Sequence, residues 1–107
     1  MARTLIRLTP SRPRRGDVME VQATLAHPME TGFRPDDNGR VLARDTVHSF
    51  SCDYNGQRVF SARLHPAVAA NPYLAFSFRA QASGLLRLQW VGDNGFSQTE
   101  DVPVELA

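Results

Sequence analysis

Apolar and polar residues alternate with a period of two along most of this chain, the signature of strands with one buried face. Met19, Val21, Ala23 and Leu25 point one way, while Glu20, Gln22 and Thr24 point the other. The same rhythm returns in Phe50, Cys52 and Tyr54, in Phe60, Ala62 and Leu64, and in Leu74, Phe76, Phe78 and Ala80. Leu86, Leu88 and Trp90 form a further run, and Val102, Val104 and Leu106 the last. An opening strand over residues 4–9, with Ile6 and Leu8 inward, brings the total to seven. Asn55-Gly56 separates two of these runs, and a type I′ hairpin turn needs positive φ at both central positions. Ser83-Gly84 and Asp93-Asn94-Gly95 mark two more tight turns. Seven short strands and no helical period predict an all-β, seven-stranded antiparallel immunoglobulin-like β-sandwich. That architecture implies no function by itself.

Two connections break the spacing, His27 to Arg44 and His65 to Tyr73. Both begin with His-Pro, where proline removes a ladder donor and ends the strand. Asp36-Asp37-Asn38-Gly39 inside the first predicts a small extra hairpin with Phe33 and Val41 on its arms. Connections of such length in a small domain are usually functional, so function is sought there.

At 107 residues the chain is read as one domain, 1–107, with the composition of an ordinary globular protein. All twelve basic residues are Arg, and codon usage is the first explanation of that. Five of them (Arg3, Arg7, Arg12, Arg14 and Arg15) fall in the first fifteen residues without an acid, whereas residues 16–107 sum to −4. A nucleic-acid partner is not expected, because most of the surface would repel phosphates. Arg14-Arg15 is followed by the alternating, polar "GDVMEVQ" rather than an apolar run, so no export signal and no membrane span are expected. A single cysteine, Cys52, excludes an internal disulfide framework.

The loop "HPMETGFR" (His27–Arg34) mixes donor atoms, an acid, an aromatic and a cation. His27, Met29 and His65 are the residues a copper or iron carrier would use. "HPM" is similar to an iron-site motif of superoxide reductases, whose sandwich is also immunoglobulin-like, but that site takes four histidines and a cysteine. Only three histidines are present here, and Cys52 is not followed by one. Methionine in such a loop is more often packing than ligation. No metal or other cofactor is therefore expected. Cys52 alternates in phase with Phe50 and Tyr54, which predicts a buried, unreactive thiol. Ser49, Ser51 and Ser61 lie on the opposite face of their strands, without a Gly-x-Ser-x-Gly elbow, and no nucleophile–base–oxyanion set forms. The chain is expected not to be an enzyme.

A binding surface remains. Met29, Phe33 and Arg34 are residue types that interface centres favour, and Pro28, Gly32 and Pro35 would stiffen the loop that carries them. The competing reading places Phe33 as a cap on one end of the core.

Several marks then coincide in order: "HPMETGFR", "DDNG", Arg44-Asp45, Phe50 to Gly56 with "YNG", Val59 to Ala62, "HPA" with "ANPYL", and the final "DNG". In this the chain resembles the SoxZ family, over nearly its whole length. One departure is Ala43, where the family pattern has proline before Arg-Asp. The resemblance implies the non-carrying subunit of the SoxYZ heterodimer of thiosulfate oxidation. Its partner, SoxY, bears the sulfur substrate on a cysteine in a C-terminal glycine-rich tail, which this chain's "VPVELA" lacks. It further implies transient docking with other Sox enzymes and a periplasmic location reached by export with the partner. Met29, Phe33, Arg34, Asn71 and Tyr73 are the expected partner contacts. Self-association without the partner is open to a protein with free strand edges.

Overall fold

The computed structural model describes residues 2–65 and 70–107, and its strands follow the alternation closely. They are β1 (Thr4–Thr9), β2 (Val18–Leu25), β3 (Val47–Tyr54), β4 (Gln57–Arg63), β5 (Tyr73–Arg79), β6 (Gly84–Gly92) and β7 (Ser97–Val104). Two antiparallel sheets result, ordered β1-β2-β5 and β4-β3-β6-β7. The fold is the all-β, immunoglobulin-like sandwich that the pattern predicts. Residues 66 and 67 of the second His-Pro motif lie outside the described residues.

The inward positions of both sheets meet as alternation requires. Met19, Val21, Ala23 and Leu25 of β2 are fully buried, as are Cys52 of β3 and Leu86, Leu88 and Trp90 of β6. Phe50 joins the layers, its ring 5.1 Å from Trp90 and 5.9 Å from Phe76. Phe60 stacks flat on Phe76 at 4.4 Å, sealing the β4 edge. Across the outer face of the larger sheet, Arg58 on β4 pairs with Asp53 on β3, and Arg87 on β6 pairs with Asp101 on β7. The register sets these four side chains in one row of alternating sign.

Antiparallel topology decides which motifs meet. The start of β1, the β2–β3 and β4–β5 connections and the β6–β7 turn all lie at one end of the sandwich. The Asn55-Gly56 turn and the β5–β6 turn lie at the other, where Asn55 Oδ1 accepts the Leu85 N–H at 3.0 Å. "HPMETGFR", Arg44-Asp45, "ANPY" and "DNG" are far apart in sequence. The topology brings them together.

Candidate functional site

The β2–β3 connection is a braced projection. Glu30 and Asp45 exchange both backbone hydrogen bonds at 2.7 Å, closing its base. Beyond them Leu42 N donates to Arg34 O at 2.8 Å and Asp36 N to Arg40 O at 2.6 Å, with Pro35 opposite Val41. The expected small hairpin is therefore present, as isolated rungs rather than a continuous ladder. The register slips by one residue between the base and these rungs, and Gly32, at φ +90, lies in the slipped stretch. A side chain there would be strained, and its β-carbon would come 3.2 Å from that of Arg44. At the tip, Asp36 Oδ1 accepts the amides of Asn38 and Arg40 at 2.8 and 2.9 Å, so the "DDNG" turn is closed by its own aspartate.

Three contacts lock this projection to the sandwich. His27 is the first and is buried. Its Nδ1 accepts the Met29 N–H at 3.1 Å, its Nε2 lies 3.5 Å from Asp45 Oδ1, and its ring packs edge-on against Phe96 at 5.1 Å. Its backbone exchanges bonds with Asn71, whose side-chain oxygen accepts His27 N at 3.0 Å and whose amide donates to His27 O at 2.7 Å. The second contact is Met29, buried at φ 54, whose sulfur accepts the Val47 N–H at 3.3 Å. The third is Asp93, which holds Thr46 through its amide at 2.9 Å and its hydroxyl at 2.6 Å, and Arg44 Nε at 3.2 Å. Those bonds, the Thr46 hydroxyl foremost, hold the Asp93 carboxyl below the usual aspartate range. Asn94 completes the clamp by donating to Arg44 O at 3.1 Å.

One side of the projection offers exposed apolar residues, beside the exposed Arg34, Asp37 and Arg40. Phe33 is 87% exposed and Val41 62% exposed. By the alternation of the short ladder, Phe33, Pro35 and Val41 fall on one side of it. Phe33 thus does not cap the core. Arg34 pairs with Glu30 through Nε and a terminal nitrogen, and that contact lowers the Glu30 carboxyl and raises the Arg34 guanidinium.

The five expected partner contacts divide. Phe33 and Arg34 stand on the projection. Asn71, exposed and at φ 56, joins it to β5 through His27, and Tyr73 follows, 56% exposed. Tyr73 opens a row on the outer face of the smaller sheet, Tyr73–Thr24–Leu5 by register, with Leu5 68% exposed. Met29 differs from the other four, because its side chain points into the core and gives a partner no surface. Sequence reasoning missed Asp93, Thr46 and Phe96. "DNG" reads as a turn, and only tertiary contact shows that its aspartate clamps another loop.

The donor set does not fit the copper or iron reading. His27 Nδ1 and Met29 Sδ already accept backbone N–H groups, and the other imidazole nitrogen, His27 Nε2, faces Asp45 Oδ1 at 3.5 Å. His65 lies in a groove with Arg44, His48 and Arg63, surroundings that repel a cation. No group of three His, Cys, Asp or Glu side chains among the described residues is arranged to hold a metal ion. Cys52 is wholly buried, and burial, with the Asp53 charge adding, pushes its thiol up to about 12.

Residues 6–103 match the family described as Sulphur oxidation protein SoxZ. No curated protein sequence matches the chain. Among solved structures, a superoxide reductase (neelaredoxin) from Ignicoccus hospitalis is similar, with a TM-score of 0.71 and 10% identity over 99% of this chain and 82% of that one. The structure of CHIR-AB1 is similar with a TM-score of 0.60 and 15% identity over the full length of both chains. Likeness at such identity shows the sandwich fold alone.

Proposed function

This chain belongs to the SoxZ family of sulphur oxidation proteins, and on that footing we propose that it is the non-catalytic, non-carrying subunit of a sulfur-carrier heterodimer. Its partner is SoxY, whose terminal cysteine bears the cargo, and the pair acts in the periplasm after joint export. The observation that carries this reading is the apolar Phe33–Val41 side of a projection locked at its base by His27, Met29 and Asp93. A stiff projection loses little freedom on association, so its exposed apolar area counts toward affinity rather than toward ordering a loop. Asn71 and Tyr73 extend the contact along the smaller sheet. A mobile carrier tail needs a rigid base, and a chain whose only thiol is buried and protonated supplies one without competing for the cargo. Other Sox enzymes dock transiently on the assembled pair.

Co-expression with SoxY tests the reading. A stable one-to-one complex that neither subunit's own dimer replaces is expected, with thiosulfate-derived sulfur found on the SoxY cysteine alone. Separate elution of the two chains, or cargo on Cys52 with SoxY dispensable, would overturn it.

A further inference from the structure

The outer face of the larger sheet has two chemically different ends. At one, every arginine has a carboxylate: Arg58 with Asp53, and Arg87 with Asp101. At the other, Arg63 on the edge strand β4 forms no ion pair and no side-chain hydrogen bond among the described residues, although it is exposed. It stands opposite Ser49 in register. A bulge in β3 between Val47 and Ser49 leaves His48 unpaired with β6, so His48 and Ser49 both stay uncovered between buried Val47 and Phe50. Leu64 N donates to His48 O at 3.0 Å, which holds the end of β4 against this bulge. Arg44 enters from the β2–β3 projection, its Nε fixed on Asp93, so that carboxylate does not use its two terminal nitrogens. Together Arg44, His48, Ser49, Arg63, Leu64 and His65 line one groove, and no carboxylate lines it among the described residues.

Two guanidinium groups, two imidazoles and a hydroxyl form a donor-rich site. Guanidinium forks favour oxyanions, and their bonds to anions are stronger than neutral ones. The groups come from two strands and two connections, hence from more than one direction. That arrangement suits a tetrahedral anion better than a planar carboxylate. We propose that the groove between Arg63, His48 and Arg44 binds a tetrahedral sulfur oxyanion of the sulfate or thiosulfate type. The preference for an anion stands on the side chains alone, and the choice of sulfur chemistry rests on the family. The anion arrives either free or as the charged end of a chain that docks there.

Amide NMR on the full chain tests this without the partner subunit, so its failure is separate from failure to pair. Sulfate and thiosulfate are titrated at constant ionic strength held with chloride. Saturable shifts at Arg44, His48, Ser49 and Arg63 are expected, and Arg63→Gln or His48→Gln should each weaken binding roughly tenfold. Arg7→Gln, on the other sheet, should leave it unchanged. A peptide ending in a sulfonate separates the two sources: tighter binding than free sulfate assigns the site to a docked chain, equal binding to the free anion. Unsaturable shifts that chloride reproduces, or saturable binding that survives Arg63→Gln, would overturn the proposal.

Discussion

Asp93 receives both the hydroxyl and the amide of Thr46 on one carboxylate oxygen, at 2.6 and 2.9 Å. In return Asp93 N donates to Thr46 O at 2.8 Å. The β6–β7 turn and the stem of the projection are thereby one unit, and the ionised form of Asp93 is the one that holds them.

The first prediction follows from that charge. The folded Asp93 carboxyl titrates below its unfolded value, so its contribution is present above the ordinary aspartate range and is lost as pH falls through the folded value. Denaturant midpoints should therefore fall on acidification below about pH 4. Asp93→Asn should lower the midpoint at pH 7 and flatten that acid dependence. Part of the slope should remain, because Glu30 and Asp101 are also held low by their arginines. An unchanged slope would show that Asp93 is not coupled to folding.

Phe33→Ala separates docking from folding. The ring is exposed, so unfolding stability should change by no more than about 0.5 kcal/mol. Affinity for SoxY, measured calorimetrically, should weaken by about 1–4 kcal/mol. Unchanged affinity in an intact fold would remove Phe33 from the interface.

Met29 should behave in the opposite way. Met29→Ala opens a hole in the core and should cost about 2–5 kcal/mol of stability. Met29→Leu keeps the volume but loses the sulfur that accepts Val47 N–H, at a cost of about 1–2 kcal/mol. Wild-type thermal unfolding in both variants would show that neither the packing nor the sulfur contact matters.

Gly84 tests the far end of the sandwich. A β-carbon there would lie 1.8 Å from Asn55 Oδ1, the acceptor of Leu85 N–H. Gly84→Ala should expel the asparagine side chain and cost about 1–3 kcal/mol. The β3–β4 turn should lose amide protection in hydrogen exchange while SoxY affinity stays as it was. Wild-type protection would mean that the asparagine adapts without loss.

Cys52 should be inert. With its thiol at about 12, on the order of one molecule in 10⁵ carries the thiolate at pH 7. A thiol reagent should label it only in denaturant, with the labelling rate tracking unfolding. Fast labelling of the native protein would contradict the burial.

The chain's alternation by itself determined seven strands, the inward faces, the Asn55-Gly56 turn and the buried state of Cys52, because strand period and turn chemistry are local properties. It also marked the His27–Arg44 connection as the place to look. Local pattern could not tell whether Phe33 turns in or out, since either side of a short ladder obeys the same alternation. Nor could it show that Met29 is core, that His27 is a hub for Asn71, Asp45 and Phe96, or that Asp93 clamps Thr46. Those outcomes belong to tertiary structure for one physical reason. Each needs a donor and an acceptor, or two apolar surfaces, that only the crossing of chain between the two sheets brings within a few ångströms of each other.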